Sequence, residues 1–138
     1  MASYNQLYVH LVWSTWQKIP LITTELEPHV YAALASKCIE LKCKPVAING
    51  ISDHVHILAA ITTTISIAKL VGAMKGSSAY FIANRVTPGT FFKWQHSYGA
   101  FTVSKRAVPI VRRYILNQKI HHAKGKLLPE YEQTEEGE

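Results

Sequence analysis

Acidic side chains are scarce in most of this sequence. Of nine Asp and Glu in 138 residues, five sit in the last ten, "PEYEQTEEGE". Residues 1–128 hold only Glu25, Glu27, Glu40 and Asp53, and the three Glu fall in one helix-like segment. That argues against a glycosidase carboxylate pair and against an all-carboxylate two-metal site. No G-x-S-x-G, G-x-G-x-x-G or Walker A sequence occurs, so nucleophile-elbow, dinucleotide and phosphate-loop chemistries are not signalled. There are two cysteines, Cys38 and Cys43, five apart in "CIELKC". This spacing fits neither a redox pair nor a zinc knuckle and reads as buried thiols. No apolar run approaches the ~18 residues of a membrane span. The start "MASYNQLYVH" lacks the regions of a signal peptide, so no membrane is expected and the expected location is cytoplasmic.

What remains is basic and apolar. Against four acids, residues 1–128 carry 15 Lys and Arg, a net of +11, which attracts polyanions. Hydrophobic residues make up 48%, enough for one packed domain, expected over 1–128. The acidic stretch 129–138 reads as a disordered, solvated tail.

Alternation of Leu7, Val9, Leu11 and Trp13 with Gln6, Tyr8 and His10 predicts a strand over 4–13 with one face buried. Thr23 or Thr24 caps a helix to about Lys42, with Pro28 in its first turn. Residues 44–51 and 54–61 read as a hairpin turning at Ser52-Asp53. A second helix spans about 63–85 and "TPG" ends it. Strands are expected at 91–95 and 98–103, then a helix from Ser104 and Pro109 to Gly125. The order is α+β, a ferredoxin-like, RRM-like β-α-β-β-α-β antiparallel sheet with an added C-terminal helix.

Two histidines one residue apart, in "SDHVHIL", pose the chemical question. On a strand, His54 and His56 project from one face while Val55 and Ile57 enter the other. Two neutral imidazoles on one face suit an open metal site, since a closed zinc site would need more ligands. A third ligand and a nucleophile are sought on the last helix, where Tyr114 and Gln118 lie four apart and His121 a further turn along. Arg112 and Arg113 beside the phenol favour its phenolate and suit a phosphate.

"DHVHIL", "YVHLVWST", "KGSSAYFI", "KWQHSYGAFTVS" and "YILNQKIHH" together resemble the single-tyrosine transposases of the insertion-sequence 200 type. These belong to the histidine-hydrophobic-histidine (HUH) superfamily, and the resemblance spans nearly the whole chain. It implies His54, His56 and Gln118 as ligands of Mg2+ or Mn2+, and Tyr114 as the nucleophile. The substrate implied is hairpin-bearing single-stranded DNA at the ends of a mobile element, cleaved and rejoined through a 5′-phosphotyrosine. It further implies a homodimer in which the tyrosine helix of one subunit can complete the other's histidine pair.

Where relatives carry a basic residue after "ST", this chain has Trp16, which shifts a DNA contact to Lys18 or to stacking on the indole. Lys69, Lys75, Lys105, Arg106, Arg112 and Arg113 are further candidate DNA contacts. His121 or His122 is a candidate base, or a surface residue at a helix end. Asp53 either forms the hairpin turn or orients a ligand histidine. Trp94, Tyr98 and Phe101 are candidates for base stacking or for the core. The competing functions are a domesticated, repeat-associated tyrosine nickase, a non-catalytic single-stranded nucleic-acid-binding module, and a small metal-dependent hydrolase using His121.

Overall fold

The computed structural model describes residues 3–125 and 128–135. Its elements run β1 (Tyr8–Ser14), α1 (Glu27–Glu40), β2 (Lys44–Ile51), β3 (His54–Ala60), α2 (Ile67–Phe81), β4 (Gly99–Val103), α3 (Val108–Leu116), α4 (Gln118–Lys124) and α5 (Pro129–Glu132). The four strands form one antiparallel sheet in the order β2-β3-β1-β4. This is the ferredoxin-like plan expected from the element order. Among the described residues no helix is long and apolar enough to cross a membrane.

Strand alternation sorts residues onto two faces. Leu11 pairs with Ile57 and Trp13 with Val55, and all four enter one core with Val30, Leu34 and Cys38 of α1 and Leu70 and Met74 of α2. The opposite parity pairs His10 with Leu58, Val12 with His56 and Ser14 with His54. There Leu58, Ala47 and Val103 pack against Val111 and Ile115 of α3. The expectation that β1 buries one face is therefore too narrow: His10, on the polar parity, is 0% exposed.

Local chemistry sets most of the boundaries. The Thr23 hydroxyl accepts from the Leu26 amide at 3.2 Å before α1, Ser66 caps α2 by accepting from the Lys69 amide, and Ser104 accepts from the Ala107 amide before α3. Three expectations are corrected. Residues 91–95 are not a strand: they pair at one bridge, Thr15 with Trp94. The Trp94 indole goes into the core instead and donates to the Ser78 hydroxyl at 2.9 Å. The single helix expected up to Gly125 breaks at Asn117 (φ −101°, ψ 18°), where the preceding Leu116 carbonyl accepts from the Asn49 side chain at 3.0 Å. Asn is a weak helix former, so the break costs little.

The third correction concerns the acidic tail. Within 129–135 it forms α5 and lies over the second face of the sheet. A Cβ at Gly99 would meet the Gln133 carbonyl at 1.9 Å, so only glycine lets the tail cross β4 there. Residues 136–138 of the expected tail lie outside the described residues.

Candidate active site

The site lies on the sheet face that β3 shares with α3 and α4. His54 and His56 point there together. The Nδ1–H of His54 donates to Asp53 Oδ1 at 2.9 Å, so its Nε2 lone pair is free to face the site. Asp53 thus orients the His54 ring while also standing in the β2–β3 turn. His56, 0% exposed, has its Nε2 3.0 Å from Glu132 Oε1 and its Nδ1 2.9 Å from His10 Nε2.

Gln118 arrives on the first residue of α4, fully buried, with Oε1 3.3 Å from His54 Nε2. Helical spacing within α4 brings its next neighbour. His122, four residues on, brings its Nε2 within 3.0 Å of both His54 Nε2 and Gln118 Oε1. His121 instead stacks flat on the Tyr114 ring, centroids 4.9 Å apart and planes at 21°. Of the expected stripe Tyr114, Gln118, His121, the last thus lies against Tyr114, and it is His122 that stands beside His54.

Tyr114 is 5% exposed, with its ring centroid 6.0 Å from that of His56. Its hydroxyl donates to Glu132 Oε2 and accepts from the Leu128 amide at 3.1 Å. Burial, then the Glu132 carboxylate, pushes the phenol up to about 12. Arg112 and Arg113 are exposed and are not what sets the phenol, so the expectation of a guanidinium-favoured phenolate is corrected. Glu132 is half-buried; burial pushes it up, but bonds and charge from His56, then Tyr114 and His54, outweigh this and hold it at about 2. Burial also lowers His10 to about 3 and drives His56 and His122 downward, favouring the neutral form of these three imidazoles beside the Glu132 carboxylate.

The donor set suits a cation. His54 Nε2, His56 Nε2 and a Glu132 oxygen lie within 4.8 Å of one another. With Gln118 Oε1 beside them, several acceptors converge on one place, an arrangement that a positive centre relieves. A cleft of about 230 Å³ opens on it, lined among others by Ser14, Lys18, Asp53, His54, His122 and Glu132.

The family-model comparison decides the identity of this arrangement: the description "Transposase IS200 like" matches residues 3–118. The chain belongs to the IS200-like transposase family. A candidate transposase from Deinococcus radiodurans is similar at 26% identity and a TM-score of 0.65, covering 86% of this chain and 95% of its own. The REP-associated tyrosine transposase, solved bound to a REP hairpin, shares the fold at 12% identity and a TM-score of 0.64, covering 92% of this chain and 76% of its own. No curated protein matches the chain.

The expected DNA contacts separate. Lys18 is exposed at the cleft, on a turn where Gln17 and Lys18 both take left-handed φ, 51° and 56°. Such strain in non-glycine residues persists where surrounding structure enforces it; here Gln95 Oε1 accepts from the Gln17 amide and the Thr15 carbonyl from the Lys18 amide. Lys75 is a correction. Its ammonium is spent on the carbonyls of Gln95, His96 and Ser97 at 2.6, 3.2 and 3.0 Å, clamping a loop. Lys69, Lys105, Arg106, Arg112 and Arg113 are exposed. Lys93 covers the Trp16 ring at 3.9 Å.

Three side chains of the site escaped the sequence reading as site groups: His10, Glu132 and, as a neighbour of His54, His122. His122 could have been found by counting four from Gln118. Glu132 was hidden in a charge run, and His10 in ordinary strand alternation.

Proposed function

We propose that this transposase cleaves and rejoins single-stranded DNA through Tyr114. Supporting this is one observation above the others: within a single chain, the Tyr114 hydroxyl and the His54–His56 pair meet on opposite sides of one carboxylate, Glu132. A scissile phosphate needs that same position, between the nucleophile and the ligand set.

In cleavage the Tyr114 oxygen bonds to phosphorus, the bond from phosphorus to the 3′ oxygen breaks, and the phenol proton is given up while the 3′ oxygen gains one. The products are a 5′-phosphotyrosine and a free 3′-OH. Attack by that 3′-OH, or by one from another strand, reverses the step and reseals the DNA without ATP. His54, His56, Gln118 and Glu132 would hold a divalent cation, Mg2+ or Mn2+. When bound, such a cation supplies Lewis-acid polarisation of a phosphate oxygen.

The chain's own residues do the rest. Asp53 fixes the His54 tautomer, Lys18 offers charge at the cleft mouth, and the basic body holds the DNA backbone. Glu132 keeps the phenol protonated until phosphate displaces it. We assign hairpin-bearing DNA as the substrate because the REP-associated neighbour was solved on a hairpin and because the body carries +11. A homodimer completes the proposal; a monomer in light scattering at micromolar concentration overturns that part alone.

The test is a covalent adduct on a denaturing gel after incubation with hairpin-bearing single-stranded DNA and Mn2+. Tyr114→Phe abolishes the adduct and retains DNA binding. An adduct that persists in the Phe variant names a different nucleophile and ends this reading.

A further inference from the structure

The mechanism leaves a buried imidazole without a task. His10, in the middle of β1, is 0% exposed, and nothing in the DNA chemistry touches it. Its Nε2 lies 2.9 Å from His56 Nδ1, the two rings stacking at 5.1 Å with planes 30° apart. Its other nitrogen, Nδ1, is buried with no hydrogen-bond partner among the described residues. A buried nitrogen without a partner costs about 1–3 kcal/mol. An aliphatic residue at position 10 would avoid that cost and pack as well beside Phe101 and Tyr131, whose rings flank it.

A ligating imidazole must present a lone pair at one nitrogen, so its proton sits on the other and needs an acceptor. His54 gives its Nδ1–H to Asp53. Among the described residues His56 has no carboxylate on that side: the one group within hydrogen-bond reach of its Nδ1 is His10 Nε2. We propose that His10 is a positioning residue, accepting the Nδ1–H of His56 and so aiming the His56 Nε2 lone pair at the metal position.

The bookkeeping of protons closes without gain or loss. With Glu132 bonded at His56 Nε2, that nitrogen carries the proton and donates to the carboxylate, so His56 Nδ1 is bare and accepts from His10 Nε2–H. On loading, the His56 proton moves to Nδ1 and the His10 proton to its own Nδ1, leaving both Nε2 atoms as acceptors. Two ring protons are present before and after. A paired imidazole can make this exchange because each ring is both donor and acceptor; a carboxylate at position 10 could not, having nothing to donate in the unloaded state.

This inference rests on the metal-centred reading above, and its test separates the two. Mn2+ affinity is titrated by EPR of the free ion on the full chain without DNA. His10→Leu, matched in bulk, weakens Mn2+ binding about 10–100-fold, whereas His10→Gln, whose side-chain oxygen can accept where Nε2 does, restores most of it. The melting temperature of His10→Leu stays at or above that of the parent. In 15N spectra of histidine-labelled protein, Zn2+ as a diamagnetic probe shifts His56 from the Nε2–H to the Nδ1–H form, and in His10→Leu this signature is lost or mixed. Parental Mn2+ affinity in His10→Leu, or equal losses in Leu and Gln that track a lowered melting temperature, overturns the role of His10. If the parent chain binds no Mn2+, the metal site itself fails, whatever position 10 holds.

Discussion

Leu11, Trp13, Val55 and Ile57 go down from β1 and β3 into a core closed by α1 and α2; their immediate neighbours His10, Ser14, His54 and His56 go up beneath α3, α4 and the tail. Both sets are buried, and their partners differ. Below the sheet, burial is satisfied mainly by dispersion and excluded water. Above it, nitrogens and oxygens need partners, and the cluster supplies most of them from its own members, His10 Nδ1 excepted, with lone pairs aimed at one point. The lower face gives rigidity; the upper face spends it on holding unpaired electron pairs in place.

Substitution at neighbouring positions should break the two faces in opposite ways. The largest effect belongs to His56→Ala. Cleavage of hairpin-bearing DNA should fall by at least about 10³-fold, roughly 4 kcal/mol of barrier, with DNA affinity almost unchanged because that affinity is mainly electrostatic. One residue along, Ile57→Ala should cost about 2–5 kcal/mol of folding stability, read as a lower melting temperature. Its cleavage rate well below that temperature should stay near the parent's. Stability loss without rate loss at 57, and the reverse at 56, is the expected pair. If both variants lose both properties equally, the faces are not separable.

Much of this division was legible in the residues. Period-two patterning announced the strands, "HVH" announced a same-face imidazole pair, and Tyr114 with Gln118 stood out on an amphipathic helix. Local signals carried those. What stayed hidden depends on distant chain. His10 reads as an outward polar residue until α3 and the tail cover its face. Glu132 reads as one charge in an acidic run until Gly99 gives the tail room to cross β4. The Asn117 break coincides with a contact from distant chain, the Asn49 side chain of β2 donating to the Leu116 carbonyl. Aromatic "FFKWQ" imitates a strand because core aromatics and strand aromatics look alike in one dimension.

Acid should expose the polar face first. Burial, then His56, holds His10 at about 3 against an ordinary 6.5, so below 6.5 the unfolded chain takes up a proton that the folded chain refuses. Stability therefore falls as pH drops from 6.5 toward 3. Glu132, held at about 2 against an ordinary 4.5, adds a loss of the same sign between 4.5 and 2. Melting temperatures measured from pH 7 to pH 4 should decline, and His10→Leu should flatten the decline. An unchanged slope in that variant means His10 is not the group refusing the proton.

A smaller effect is expected at Glu132, whose carboxylate lies where the proposed mechanism would put a phosphate. Glu132→Ala should weaken Mn2+ binding in the absence of DNA, since one oxygen leaves the set. At saturating Mn2+ it should raise the cleavage rate, by about tenfold or about 1.4 kcal/mol, because the phenol loses its carboxylate neighbour and the phosphate its competitor. A slower rate at saturating Mn2+ would mean that Glu132 remains a ligand throughout the reaction.

The finest distinction lies between two lysines that sequence alone treats as equivalent. Lys18 stands free at the cleft on a strained turn, whereas Lys75 gives its three donors to the carbonyls of Gln95, His96 and Ser97. Burial lowers Lys75 to about 8, yet three carbonyl acceptors favour its charged form, and at neutral pH it remains an ammonium clamp. Neutralising each should therefore read out differently. Lys18→Gln should reduce the salt dependence of DNA affinity by about one phosphate contact and leave the melting temperature alone. Lys75→Gln should leave the salt dependence alone and cost about 1.5 kcal/mol of stability as the loop 95–97 loses its charged donor. Binding isotherms across a range of salt, paired with melts, separate the two, and a salt slope that falls for Lys75 rather than Lys18 would reverse the assignment.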